Sequence, residues 1–356
     1  MQQKTLTVVI PTYNMEKYLR RCLDSLIVGE QQMAQLEVLV VNDGSKDSSS
    51  AIAHEYEKKY PQTFRVIDKE NGNYGSCVNR GLDEAVGKYF RLLDADDRFE
   101  TANFKKFLDI LKTAEADMVM TNYCHVFEGN DKKKILIGHP KGIEYGKVYK
   151  ADDFDFSKFE CESLCVMHSL TFKLAVLKKV GLRHQTGISY TDVEYDYFPW
   201  VGVKTILPLD IWFYLYTVGR NGQTVSAHSM AKSIDNYYKV SRRLLDDFTS
   251  CPENKINMAI RAKQLVPLSR ILITYIRLVL CNKKNDEEFI RMKVLYHDIE
   301  VNVPEMLPQL QKECSKRALF SYKIWQNLRD NVGKFPLNII YGMLLDMRAK
   351  IKGVNN

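Results

Sequence analysis

Nowhere does this chain hold an apolar run long enough to cross a membrane. Its 356 residues never reach the roughly 18 consecutive apolar residues of a spanning helix. The nearest stretch, VPLSRILITYIRLVLC, is broken by Arg270 and Arg277. The opening residues, MQQKTLTVVIP, lack the basic start, apolar core and small-residue cleavage site of a secretory leader. A cytoplasmic, non-spanning protein is the expectation. Cysteine is sparse: eight residues, scattered singly apart from Cys161 and Cys165. No second close pair and no His cluster completes a thiolate metal site, so reduced, mostly buried thiols are expected. Internal repeats and low-complexity segments are absent too. The nearest thing to a charge run, Lys132, Lys133 and Lys134, reads as a solvated loop.

With 45% hydrophobic and 27% charged residues, the composition is that of an ordinary globular protein, and the length suggests two or three domains. The net charge of +7 is uneven. Residues 230–356 carry 22 Lys and Arg against 13 Asp and Glu, leaving residues 1–229 at −2. This predicts a boundary near residue 230, with one domain over 1–229 and a basic helical one over 230–356. The basic residues are spread over helical patterns without an interleaved aromatic platform, which argues against a nucleic-acid partner.

The first 125 residues alternate between two patterns. TLTVVI, LEVLVV, FRVI, KYFRLL and DMVMT are short, apolar and rich in β-branched residues, as buried strands are. Between them, EKYLRRCLDSLI repeats its apolar positions with helical spacing, and residues 47–60 and 73–86 read as further helices. Such alternation predicts an α/β fold, a mostly parallel sheet covered by helices on both faces. Residues 151–229 are irregular and aromatic-rich; beyond them the pattern is helical.

Ligands of open parallel sheets collect at the carboxyl ends of the strands, so the strand ends are informative. The first strand ends in Pro11-Thr12-Tyr13-Asn14 and the second in Asn42-Asp43-Gly44-Ser45. The third ends in Asp68-Lys69-Glu70-Asn71-Gly72, and the fourth in LLDADDRF, where Asp94, Asp96 and Asp97 crowd together. One polar loop is unremarkable; four at one edge favour a nucleotide-type site. Three carboxylates this close repel one another, and either a solvated turn or a divalent cation carrying a phosphorylated ligand accounts for them.

In VVIPTYNMEKYLRRCLDSL, LEVLVVNDGSKDSS, KENGNYGSCVNRGL and KYFRLLDADDRF the chain resembles the inverting family-2 glycosyltransferases of the GT-A fold, in the order and spacing usual for that family. ISYTDVEYDY and YTVGRNGQTVS are similar to later family segments, so the likeness covers roughly residues 5–230. The resemblance implies a GT-A catalytic domain and a UDP-sugar donor. Pro11, Tyr13, Asn14, Asp43, Asn71, Gly72, Gly75, Asp94 and Ala95 would then hold the nucleotide. Tyr13 stacks on the uracil or merely packs its loop, and Asp43 accepts from uracil N3–H or caps the turn before Ser45. Asn79 and Arg80 read as supports. By the family pattern Asp94 faces the nucleoside and Asp96 coordinates Mn2+ or Mg2+, with His228 as a further ligand or a plain loop residue. Asp97 steadies the donor sugar or the loop, while Arg220 and Gln223, with Thr224 and Ser226, close over the diphosphate.

An inverting transfer needs a base for the acceptor hydroxyl. Asp192 aligns with the family's base, although Thr191 stands where the family often has a Glu. Glu194 and Asp196 are alternatives, and Asp192 can instead cap a helix. The implied acceptor is a hydroxyl of a surface glycan or a lipid-linked sugar. The stripe of Ile339, Ile340, Met343, Leu344, Met347 and Ile351, beside Arg348, Lys350 and Lys352, suits a peripheral contact with the inner face of a membrane, a packed terminal helix or an oligomer contact. Trp325, Phe320 and Leu328 are candidates for the core of the basic region. Processive synthases are disfavoured by the missing spanning helices and Q-x-x-R-W motif. A nucleotidyltransferase is disfavoured by the missing glycine in PTYNMEKY. A nucleotide-sugar-binding scaffold without catalysis remains an alternative.

Overall fold

The computed structural model describes residues 4–138, 140–220, 227–250, 258–281, 286–304 and 306–308. Ten strands occur in chain order: β1 (Leu6–Thr12), β2 (Leu36–Asn42), β3 (Phe64–Asp68), β4 (Tyr89–Leu92), β5 (Arg98–Phe99), β6 (Met118–Phe127), β7 (Asn130–Ile137), β8 (Tyr149–Lys150), β9 (Leu170–Lys173) and β10 (Thr205–Val218). The helices are α1 (Glu16–Asp24), α2 (Glu30–Gln35), α3 (Ser49–Lys59), α4 (Asn73–Glu84), α5 (Thr101–Thr113), α6 (Leu174–Lys179), α7 (Asp192–Tyr197), α8 (Ala227–Lys232), α9 (Ile234–Ser250), α10 (Met258–Cys281) and α11 (Asp286–Asn302). None is long and apolar enough to cross a membrane among the described residues.

All ten strands join one sheet, ordered β3-β2-β1-β4-β9-β6-β10-β5, with β7 against β6 and β8 against β10. Its first half is the parallel α/β sheet that the alternating pattern predicts. There β1 pairs with both β2 and β4, and β2 with β3. Every residue of β2 is buried, as expected of strands covered on both faces. Helix α4 packs on β1 and β2, α3 on β2 and β3, and α5 on β10. The second half is mixed: β9 runs antiparallel to both β4 and β6, while β6 and β10 are parallel.

Register, more than composition, makes the functional edge. Thr12 lies opposite Asn42, and Asn42 opposite Asp68, so the first three strands end level. Leu93, just past β4, donates its N–H to Val9 at 3.0 Å, which brings the acidic turn to the same edge. From the other side, β10 pairs with β5 so that Tyr214 faces Phe99, delivering the end of β10 to that turn.

Residues Met1–Val218 with Ile256–Gln264 form one compact unit, and Gly219–Lys255 with Leu265–Asn356 a second. Within the second, Arg291 reaches Asp235 at 3.1 Å and Arg242 pairs with Asp298. The Tyr275 hydroxyl donates to Glu288 Oε2 at 2.9 Å. The apolar stripe at 339–351, and Phe320, Trp325 and Leu328, lie outside the described residues.

Candidate active site

The loops after β1 and β2 are locked to each other by side chains gripping backbone. Asp43 donates its N–H to Thr12 O at 2.8 Å. Asn14 donates its N–H to Ser45 Oγ at 3.0 Å, and its own Oδ1 accepts from Lys46 N–H at 2.8 Å. That exchange holds Asn14 at φ +53°, a conformation Asn tolerates better than most residues. Pro11 continues the β1 ladder opposite Val41. Tyr13 projects from this loop 46% exposed, its ring available for stacking.

Beside them Asp43 is almost fully buried. Its Oδ1 accepts from Lys69 Nζ at 2.6 Å and from Gly72 N–H at 2.9 Å, and Asn71 Nδ2 donates to the Asp43 carbonyl at 2.9 Å. Gly44 sits at φ +73°, a conformation that strains other residues, and a Cβ there would be tight against Asn71 N at 3.3 Å and Lys69 O at 3.4 Å. Residues 43–44 and 69–72 thus form one small cradle at the ends of β2 and β3.

The acidic turn is closed by Asp97 N–H donating to Asp94 O at 2.9 Å, across Ala95 and Asp96. Asp97 has no exposed surface. Two donors from β10 reach it, the Tyr214 hydroxyl at 2.8 Å and Thr217 N–H at 2.7 Å. Burial first, then the charges of Asp96 and Asp94, push its carboxyl well above the usual range. The Asp96 carbonyl accepts from Thr217 Oγ1 at 3.1 Å and Arg21 at 3.2 Å; its carboxylate sits next to that of Asp97 in the chain.

His168 completes this cluster, and sequence reasoning missed it. Ligand atoms of Asp94, Asp97 and His168 all lie within 4.8 Å of one another. Two oxygens and an imidazole at that spacing are a donor set that suits a first-row divalent cation, and the cation would relieve the repulsion at Asp97. The imidazole is stacked against Tyr123, with Tyr214 and Tyr216 also in contact, at centroid distances of 5.2, 4.8 and 4.6 Å. Its backbone is held from below by Arg91. This wholly buried guanidinium donates to the His168 carbonyl and, at 2.6 Å, to Thr171 Oγ1. It also lies 4.6 Å from the Phe213 ring centre. No spacing rule links a lone His before β9 to an acidic turn after β4; only the sheet order does.

Asp192 is the first residue of α7, following Tyr190 at φ +65°. It faces the same region. Burial and then the charges of Asp94 and Asp192 push the Tyr74 phenol well above its ordinary value, and Tyr216 is raised by burial and by Asp97, Asp94, Asp96 and Asp192. The two rival carboxylates are more deeply buried, although Asp196 also acts on the Tyr74 phenol. Glu194 is fully buried, accepting from Gln185 N–H at 2.8 Å with His184 Nδ1 at 3.8 Å. Asp196 is also buried, whereas Asp192 keeps partial exposure. Asn79 clamps the approach to this segment, donating to His184 O at 2.9 Å and accepting from His184 N–H at 2.8 Å. Gly75 is where the segment presses on α4: a Cβ there would lie 2.0 Å from Gln185 O. Arg80 pairs with Glu84 on the helix surface at 2.8 Å.

The structure therefore gathers Pro11, Tyr13, Asn14, Asp43, Asn71, Gly72, Asp94, Ala95, Asp96, Asp97 and Asp192 in the first compact unit. Arg220 belongs to the second unit. Gln223, Thr224 and Ser226 lie outside the described residues, as does the side chain of His228, whose backbone is part of α8.

Residues 7–175 match the Glycosyl transferase family 2 model. EpsH of Bacillus subtilis (strain 168) is 31% identical over 195 residues, covering 49% of this chain and 52% of EpsH. The minor teichoic acid biosynthesis protein GgaB of the same organism is 36% identical over 103 residues, covering 29% of this chain and 11% of GgaB. The chain thus spans about half of the one relative and about a tenth of the other. Among solved structures, S. aureus TarS 1–349 in complex with UDP-GlcNAc superposes with a TM-score of 0.62 at 20% identity, covering 86% of this chain and 83% of that one. Sheet order, the acidic turn after β4 and these likenesses converge: residues 7–175 match family-2 glycosyltransferases, on a fold shared with TarS.

Proposed function

We propose that this protein is a non-processive, inverting glycosyltransferase that moves a sugar from a UDP-sugar to a hydroxyl of a glycan or lipid-linked acceptor. The observation that carries this reading is one strand-end edge that holds a small cradle at Asp43, an acidic cluster at Asp94, Asp97 and His168, and the partly exposed Asp192 beside that cluster. A UDP-sugar needs these contacts in this order: base, diphosphate, reacting carbon. GgaB's assignment to teichoic acid biosynthesis supports a surface polymer as acceptor.

Asp43 would accept from the uracil N3–H, and Tyr13 would cover the ring face. Asp94, Asp97 and His168 would hold Mn2+ or Mg2+, with Asp96 adjoining them. When bound, the cation neutralises the diphosphate and stabilises it as a leaving group. By the family resemblance Arg220 and Gln223 are proposed for the diphosphate and His228 for the metal. Asp192 would take the proton from the acceptor hydroxyl as that oxygen attacks the anomeric carbon from the face opposite the diphosphate. The C–O bond to the leaving diphosphate breaks as the new glycosidic bond forms.

Calorimetric titration with UDP, with and without Mn2+, tests the donor half of this reading. Metal-dependent binding is expected, lost in Asp97→Asn and weakened in Asp96→Ala. NMR of products from a UDP-sugar screen tests inversion, and Asp192→Asn should bind UDP normally while turnover falls by roughly a hundredfold or more. No UDP binding in the presence of metal would end the donor assignment.

A further inference from the structure

Lys69 opens the KENGNYGSCVNRGL stretch, and sequence alone gives it no role of its own. The β2–β3 register sets Asp68 against Asn42, and Lys69 N–H continues that ladder by donating to Asn42 O at 3.0 Å. Its side chain, 22% exposed, then turns onto Asp43. The ammonium donates to Asp43 Oδ1 at 2.6 Å, to Ser76 Oγ at 2.9 Å and to the Glu70 carbonyl. Three acceptors use its three protons, so it is fixed rather than flexible.

The pairing is also one-sided. Every described bond to the Asp43 carboxylate goes to Oδ1: Lys69, Gly72 N–H, and weakly the Ser76 hydroxyl at 3.5 Å. None of these three bonds goes to Oδ2, and the Cys77 thiol is the remaining polar side chain that acts on Asp43. A carboxylate that is 2% exposed thus has one oxygen pinned and the other left for a ligand.

We infer that Lys69 is a positioning residue for nucleobase selection, holding Asp43 so that Oδ2 meets the base as an acceptor only. This rests on the donor-site reading above. A buried carboxyl tends toward its neutral form unless an opposite charge touches it. Neutral, it both donates and accepts, and pairs equally with the N3–H of uracil or the N3 lone pair of cytosine. Ionised, it accepts only: it suits uracil and repels cytosine, whose N3 is an acceptor. The ammonium already occupies Oδ1 as a donor, and its fixed bonds keep the carboxylate from rotating to offer another edge, so Oδ2 is left to accept. Lys69 itself does not touch the base.

The test compares UDP with CDP, each with Mn2+, on the full chain by calorimetry, using wild type, Lys69→Met and Lys69→Arg. Wild type should favour UDP by about 10- to 100-fold, the size of one buried hydrogen-bond match. Lys69→Met should lower UDP affinity and bring the two nucleotides within about threefold of each other, while Lys69→Arg keeps the preference. Thermal unfolding checks that each variant is folded. Should Lys69→Met fail to fold, Lys69→Gln, which keeps a donor without the charge, takes its place. Wild-type preference retained in the uncharged variant overturns the inference and leaves the donor site standing. So does equal affinity of the wild type for UDP and CDP. If the wild type binds neither nucleotide, the donor reading itself falls, and this inference with it.

Discussion

Tyr214 donates its hydroxyl to Asp97 Oδ2 at 2.8 Å, a side-chain bond between residues 117 positions apart in the chain. The same hydroxyl accepts from Asp94 N–H at 3.3 Å. One phenol on β10 therefore fixes both ends of the acidic turn. Tyr214→Phe removes this bond and keeps the ring among Phe99 and His168. Stability should fall by about 1–3 kcal/mol in urea unfolding, the range for losing a buried bond to a charged or strongly polar partner. Mn2+ affinity should fall by roughly 10- to 100-fold, as it does when a ligand's outer hydrogen-bond partner is lost. An Mn2+ titration by electron paramagnetic resonance that does not distinguish the variant from wild type would show that the bond is structural only.

His168 and His228 make competing predictions for the metal. His168 already lies within 4.8 Å of the Asp94 and Asp97 ligand atoms, and its loop is tied by Arg91 through the backbone. His168→Ala therefore removes the imidazole and leaves the loop in place. Mn2+ affinity is expected to drop at least about tenfold, while the urea midpoint falls because three ring contacts are lost. Loss in His228→Ala and none in His168→Ala would move the ligand assignment to α8.

Gly75→Ala is expected to be severe. The added methyl would lie 2.0 Å from the Gln185 carbonyl and 3.0 Å from Thr191 Oγ1. The first of these is backbone, so neither α4 nor the segment before α7 can yield without moving. A cost at or above about 3 kcal/mol is expected, the upper end for overpacking, together with loss of turnover because the displaced segment leads directly into Asp192. Circular dichroism melting checks the first, and product formation the second. A variant as stable as wild type would show that the contact relaxes easily.

These relationships also divide what could be read from the chain from what could not. Strands β1 and β2 are parallel and almost wholly buried, so each appears as a mostly apolar, β-branched run with a polar turn at its end, and β3 and β4 follow the pattern with one arginine each. The candidate edge was legible for that reason. Tyr214 and Thr217 sit in IWFYLYTVG, an aromatic run whose register against β5 and β6 is set by sheet pairing, with irregularities near Trp212. His168 precedes a four-residue strand that inserts between β4 and β6, too short to leave a periodic signal. Lys69 needed the β2–β3 register, since nothing local separates a lysine that meets a buried carboxylate from one that meets water. Motifs report what lies on one loop; contributions from distant strands appear only once the sheet order is known.

The His54–Asp68 pair at the end of β3 gives a pH prediction that is read from stability alone. His54 on α3 bonds Asp68 Oδ2 and Glu57 Oε2, each at 2.8 Å. These bonds, Asp68 first and then Glu57, raise the imidazole above its ordinary value of 6.5. Burial works against the ionised form of Asp68, yet His54, Asn42 and Ser50 hold its carboxyl below the usual range, so it stays charged throughout the window that matters. Because the folded-state value of His54 is raised, its contribution is fully present below about pH 6.5 and is lost as pH climbs through that higher value. The side chain is 47% exposed, so the effect should be no more than roughly 0.2–1 kcal/mol. Urea midpoints of wild type and His54→Gln should therefore differ at about pH 5.5 and converge near about pH 8.5. A difference that stays constant across that range would mean that the pair contributes through packing or neutral hydrogen bonds, and not through charge.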